Sequence, residues 1–166
     1  MGPDKLGFSL YLVTDRTQTR GRPLIEVVDD CLRAGLQAVQ VREKDLTALE
    51  LLNLARPLRD LTSQSGARLF INDRVDVAQA VGADGVQRAH HSLPTKTIRT
   101  LMGPERLIGV SAHSLDEARA AQAEGADFVV FGPVYDTPSK RSYGSPLGLE
   151  SLARVTTALM IPVFAI

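Results

Sequence analysis

The sequence predicts a parallel α/β fold, a (β/α)8 TIM barrel that stops after its seventh strand. Short apolar, β-branched runs alternate with helix-length amphipathic segments from end to end, which implies a parallel sheet with right-handed crossovers. One glycine-containing junction recurs between helix and strand. Polar residues gather after nearly every strand, as they do at the catalytic face of such a barrel. A doubly wound sheet would carry a Gly-rich phosphate fingerprint after strand one. That position reads Val13-Thr14-Asp15-Arg16-Thr17-Gln18.

The predicted strands are Ser9–Val13, Ala38–Arg42, Arg68–Ile71, Gly85–Gln87, Leu107–Ser111, Phe128–Phe131 and Pro162–Ile166. Between the first two, Leu24, Val27, Val28, Cys31 and Leu32 form a stripe of helical period. Leu49, Leu52, Leu54, Ala55 and Leu58 support the next helix. Shorter helices are expected at Val75–Val81 and Pro94–Leu101, then Leu115–Ala123 behind Ser114 as N-cap, and Leu149–Leu159. Ala34-Gly35, Val81-Gly82-Ala83-Asp84-Gly85 and Glu124-Gly125-Ala126-Asp127 each close a helix before a strand, with glycine supplying the left-handed C′ residue.

Composition narrows the function classes. Nineteen Lys+Arg balance nineteen Asp+Glu, so no global charge attracts nucleic acid or an acidic membrane, and any bound anion needs a local cluster. No tryptophan and 5% aromatic residues argue against a base-stacking platform. The single cysteine, Cys31, excludes an internal disulfide and fits a reducing compartment, either as inert packing or as a redox thiol. No apolar run has the length of a membrane span and the N-terminus lacks a signal-peptide pattern, so a single-domain cytoplasmic protein is expected.

Chemistry-bearing residues follow the strands. Period-two alternation puts Gln40 and Arg42 on one face, with Lys44 just beyond. A planar donor fork beside a point charge suits phosphate or pyrophosphate; the alternative pairs Arg42 with Glu43 or Asp45. Strand three ends in Asn72, a donor for a ligand amide or phosphate, and Asp73. The latter is either a hard oxygen ligand for Mg²⁺ or the cap of the next helix. Strand five delivers Ser111 and His113, an acid/base candidate near neutral pH or a structural hydrogen-bonder. Strand six runs into Gly132-Pro133-Val134-Tyr135-Asp136-Thr137-Pro138-Ser139-Lys140-Arg141, read as a lid or phosphate clamp, or as a solvated loop.

These segments together resemble the thiamine phosphate synthase family, which includes thiazole tautomerases of the same fold. The resemblance runs from Leu10-Tyr11-Leu12-Val13-Thr14-Asp15 through Gln40-Val41-Arg42-Glu43-Lys44-Asp45 and Ile71-Asn72-Asp73-Arg74-Val75-Asp76. It continues in Gly82-Ala83-Asp84-Gly85-Val86, Ile108-Gly109-Val110-Ser111-Ala112-His113-Ser114 and Phe131–Lys140, nearly the whole chain. It implies a transferase that joins a hydroxymethylpyrimidine pyrophosphate to a thiazole phosphate and releases pyrophosphate, with Mg²⁺. By resemblance Gln40, Arg42, Lys44 and Asn72 hold pyrophosphate and pyrimidine, and Asp73 ligates the metal. Ser111 faces the pyrimidine, Thr137 and Ser139 the thiazole phosphate, and Lys140 the pyrophosphate.

One segment departs from the family pattern. Where synthases read G-V-H-L-G-Q-x-D, this chain reads Gly85-Val86-Gln87-Arg88-Ala89-His90-His91-Ser92, placing Ser92 where a second metal carboxylate is expected. Two other readings follow: a thiazole tautomerase using His113 as acid/base without metal, and a non-catalytic binding paralogue. The 166 residues supply six βα units and a seventh strand, whereas such barrels take roughly 200 residues or more. The expectation is that the native protein continues, or that the exposed strand edges are covered by swapping or by a homo-oligomer.

Overall fold

The computed structural model describes residues 6–89, 91–136 and 145–166. Its strands are β1 (Tyr11–Val13), β2 (Ala38–Val41), β3 (Arg68–Asn72), β4 (Gly85–Arg88), β5 (Leu107–Ala112), β6 (Phe128–Phe131) and β7 (Val163–Ala165). They alternate with helices α1 (Leu24–Arg33), α2 (Ala48–Ser65), α3 (Val75–Ala80), α4 (Thr95–Met102), α5 (Leu115–Ala123) and α6 (Gly148–Ala158). The chain forms two compact units. Of the described residues, one comprises Gly7–Gln87 with Leu101–Arg106, and the other comprises Leu6 and those within Arg88–Thr100 and Leu107–Ile166.

In the first unit β1, β2, β3 and β4 pair in sequence order, all parallel. The registers Val13↔Gln40, Gln40↔Phe70 and Phe70↔Gly85 put these side chains on one face, with Asn72↔Gln87 in the next row. Tyr11, Phe8 and Phe70 fill the base of that face, the Tyr11 and Phe70 rings edge-to-face with centroids 5.2 Å apart. Burial pushes the Tyr11 phenol well above its ordinary pKa. Val39, Val41, Leu69, Ile71 and Val86 occupy the opposite face and are fully buried. A parallel sheet covered on both faces needs such near-continuous apolar strands, which is why these runs read so clearly in the sequence.

In the second unit β5, β6 and β7 pair in parallel, with Gly109↔Phe128, Ser111↔Val130 and Val130↔Phe164 on one face. Phe128 and Phe164 meet edge-to-face there, at 5.5 Å. Ile108, Val110, Ala112, Val129 and Phe131 lie on the other face, which α5 covers with buried Ala118 and Ala121. Ser114 caps α5 as expected, accepting from the Glu117 N–H at 3.1 Å.

The recurring junction is real and contains more than its glycine. Gly35, Gly82 and Gly125 all take positive φ, and Gly66 after α2 makes a fourth instance. Each is followed by the long bond that closes a Schellman motif, such as Ala83 N–H to the Ala78 carbonyl and Ala126 N–H to the Ala121 carbonyl. At two of them the following aspartate does the same work. Asp84 donates its N–H to the Leu69 carbonyl, accepts the Leu69 N–H on its carboxylate at 2.8 Å and pairs with Arg59 of α2. Asp127 does so with Ile108, at 2.7 Å, and pairs with Arg99 of α4.

Several boundaries move for identifiable reasons. The second strand stops at Val41, not Arg42, because the Arg42 N–H goes to the Thr14 hydroxyl at 2.9 Å instead of to a strand backbone. The first begins at Tyr11, not Ser9, whose N–H is taken by the Gln37 side chain. The third extends to Asn72, which pairs with Gln87, and the fifth to Ala112, which pairs with Phe131. The last is shorter than Pro162–Ile166. In α2 the buried stripe is Leu51, Ala55, Leu58 and Thr62; Leu49 is 66% exposed, because α2 begins at Ala48 behind a Thr47–Glu50 capping box. Cys31 sits half-buried at the margin of the α1 stripe of Leu24, Val28 and Leu32. No helix of the described residues is long and apolar enough to cross a membrane.

Candidate active site

The first unit gathers five of the expected residues at the C-terminal ends of β2 and β3. Gln40 is buried, and its Nε2 donates to the Asn72 Oδ1 at 3.0 Å. That bond fixes both amides. It leaves the Asn72 Nδ2 donors and the Gln40 Oε1 acceptor for a ligand. Arg42 is half-buried and Lys44 exposed. Burial alternates along Val41, Arg42, Glu43 and Lys44, so both cations lie on the less buried side of this segment.

The acids that could neutralise Arg42 are engaged elsewhere. Glu43, its side chain 2% exposed, accepts from the Thr14 hydroxyl at 2.7 Å, the Arg16 N–H at 3.2 Å and Arg16 Nη1 at 3.2 Å. Asp45 takes the Arg16 guanidinium in a two-pronged pair, Nη1 to Oδ1 at 2.6 Å and Nη2 to Oδ2. This pairing holds the Asp45 carboxyl down at a pKa of about 2 and raises that of Arg16. No carboxylate of the described residues forms an ion pair with Arg42 or Lys44.

Asp73 stands in a strained turn. Its φ is +65°, in the left-handed region that side chains other than glycine, asparagine and aspartate rarely visit. The Arg74 N–H reaches the Asn72 carbonyl at 2.7 Å and the Val75 N–H the Asp73 carbonyl at 3.0 Å, a pair of consecutive γ-turns. The N-cap of α3 is Arg74, with no side-chain cap bond, so Asp73 does not cap this helix. Arg74 is bound to Asp76, whose pKa its hydrogen bond lowers.

The second unit carries the rest. Ser111 shares a row with Val130 and Phe164, a hydroxyl beside an apolar wall. The exposed His113 points Nδ1 at the Gly132 carbonyl. A carbonyl only accepts, so Nδ1 carries the proton and Nε2 is the basic nitrogen of the neutral ring. A Cβ on Gly132 would run into the Ile166 carbonyl, so only glycine fits there. The Ser92 hydroxyl accepts the Ala89 N–H at 2.8 Å, closing a tight loop after β4. Thr137, Ser139, Lys140 and His90 lie outside the described residues.

For a metal, the described residues offer no cluster of three or more His, Cys, Asp or Glu side chains. A single hard carboxylate, Asp73, fits an Mg²⁺ ion that draws its remaining ligands from substrate phosphates and water, but not a resident all-protein cage. Thr14 and Arg16 escaped the sequence reading, and Glu43 entered it only as a possible partner of Arg42. The available signal was Arg16 itself, placed just past a strand end, with Glu43 and Asp45 flanking Lys44 just past the end of the neighbouring strand.

The family model for thiamine monophosphate synthase matches residues 10–166. The chain belongs to the thiamine monophosphate synthase family. A protein of Geobacter sulfurreducens is 56% identical over 162 residues, 98% of this chain and 76% of its own length. A thiamine-phosphate synthase of Moorella thermoacetica is 44% identical over 159 residues, 96% of this chain and 76% of its own length. Among solved structures, thiamine phosphate pyrophosphorylase from Pyrococcus furiosus superposes with a TM-score of 0.87 at 37% identity, covering 98% of this chain and 76% of that one. The family match and this superposition agree with the barrel-type alternation of strands and helices read from the sequence.

Proposed function

We propose that the chain acts as a thiamine-phosphate synthase whose leaving pyrophosphate is held at the ends of β2 and β3. The overall reaction is that of its family, a transferase step that joins a pyrimidine pyrophosphate to a thiazole phosphate. The supporting observation is that, among the described residues, Arg42 and Lys44 form no ion pair although Glu43 and Asp45 adjoin them in sequence, because Arg16 takes both acids. The pyrimidine C–O bond breaks with its electron pair passing to the pyrophosphate, and the thiazole nitrogen donates the pair that forms the new C–N bond. Arg42, Lys44 and the Asn72 amide donors stabilise the charge developing on the leaving oxygens. The Gln40–Asn72 bond holds those donors in place before substrate arrives. Asp73 would bind Mg²⁺ together with pyrophosphate oxygens, and the ion when bound would supply further charge neutralisation. Ser111, beside Val130 and Phe164, would face the pyrimidine. Thr137 and Ser139 would serve the thiazole phosphate, and Lys140 the pyrophosphate.

The test is Mg²⁺-dependent pyrophosphate release from the two precursors by the purified protein. Release without the second precursor, or none with both, contradicts the proposal. The fixed Nδ1 proton of His113 favours one further reading, thiazole isomerisation through Nε2. Isomerisation without pyrophosphate release would select it, and binding of thiamine intermediates without turnover would select a binding paralogue. A homo-oligomer and a cytoplasmic location complete the proposal.

A further inference from the structure

Glu43 and Asp45 flank Lys44, and Glu43 follows Arg42 directly, so the pyrophosphate-binding segment carries as many acids as bases. Left to themselves, two carboxylates this close would pair with the cations or repel an arriving polyanion. Arg16, in the turn after β1, prevents both. Its backbone N–H and guanidinium engage Glu43, the same guanidinium grips Asp45, and Thr14 adds a bond to each side of the joint, donating to Glu43 and accepting from the Arg42 N–H. We infer that Arg16 is a positioning residue for pyrophosphate: by occupying Glu43 and Asp45 it leaves Arg42 and Lys44 free to bind the anion. The inference rests on the synthase reading of this edge. Arg16 acts through its neighbours and makes no contact with the substrate. Its planar fork suits the task, because only a guanidinium satisfies two carboxylates at once with fixed geometry.

The experiment is calorimetric titration of the protein with inorganic pyrophosphate in the presence of Mg²⁺, with steady-state kinetics alongside. Arg16→Gln should weaken pyrophosphate binding about tenfold, since it releases two carboxylates beside the anion. It should raise KM for the pyrimidine pyrophosphate while leaving KM for the thiazole phosphate within about twofold. Asp45→Asn alone should change little, because Asp45 is already neutralised. Added to Arg16→Gln, however, it should recover most of the lost affinity, a coupling that a scaffold role cannot produce. If Arg16→Gln does not fold, Arg16→Lys takes its place with the same partner substitution. Unchanged binding by the Arg16 variant, or a loss that Asp45→Asn does not repair, overturns the inference and leaves the synthase reading intact. Wild-type protein that turns over both precursors yet does not bind pyrophosphate at all overturns the inference together with this placement of the anion. Wild-type protein that releases no pyrophosphate from the two precursors defeats the synthase reading itself.

Discussion

Asp84 and Asp73 are carboxylates of the same unit, one at the start of β4 and the other at the end of β3, and the fold treats them in opposite ways. Asp84 is 18% exposed in its side chain, receives the Leu69 N–H and is paired with Arg59, with Arg68 more distant. Burial works against its ionisation, but the Leu69 N–H and Arg59 outweigh that and hold its pKa below the ordinary carboxylate value. Asp73 is held in a left-handed turn and released from capping α3. The second unit repeats the first treatment at Asp127, clamped by Arg99 and the Ile108 N–H where β6 begins. At the helix-to-strand ends charge is neutralised within the fold. At the strand-to-helix ends of β2 and β3, Arg16 takes up Glu43 and Asp45. Arg42, Lys44 and Asp73 stay out of ion pairs among the described residues, Asp73 at some cost in backbone strain. The same division separates stability from catalysis in barrel enzymes generally.

Substitutions at the two ends should therefore fail differently. Arg42→Ala should lower kcat/KM by about 100- to 1000-fold, the scale for losing a preorganised charge that stabilises a developing anion, with little change in melting temperature. Asp84→Ala should do the reverse. Stability should fall by about 2–3 kcal/mol as the Leu69 N–H and Arg59 lose their charged partner, while turnover per folded molecule stays within about twofold. Urea titration and active-site-normalised kinetics separate the two cases.

Acid should single out the stabilising end. The folded-state pKa of Asp84 is lowered, so its contribution is complete above the unfolded value of about 4 and disappears as pH falls through the folded one. Asp84→Asn should flatten that part of the stability profile, measured by denaturant unfolding between about pH 5 and 2. The smallest effect on stability is expected at Asp73. Asp73→Gly removes the left-handed penalty but adds freedom to the unfolded chain, so stability should stay within about 1 kcal/mol while Mg²⁺-dependent activity is lost.

The alternation of strands and helices was legible because buried parallel strands leave near-continuous apolar runs and the glycine junctions repeat with their Schellman bonds. Gln40, Asn72 and Asp73 were legible as polar residues at strand ends. What the sequence hides is partnership across strands. Whether Arg42 pairs with its neighbours or stays available depends on Arg16, which folding brings in from β1, and no local pattern encodes that contact. That Asp73 does not cap α3 turned on backbone geometry, which a single aspartate does not announce. The Asp84 and Asp127 clamps were visible only as members of a repeat; their role comes from helix arginines distant in the chain.

The central claim is that charge kept available at the ends of β2 and β3 carries the chemistry, while charge neutralised at the opposite ends carries the fold. Pyrophosphate release from the two precursors by Arg42→Ala and Asp84→Ala, side by side and normalised to folded protein, tests it most directly. The expected result is a loss of about two orders of magnitude or more for Arg42→Ala and near-native turnover for Asp84→Ala. Comparable turnover in the two variants, or a greater loss for Asp84→Ala, would contradict it.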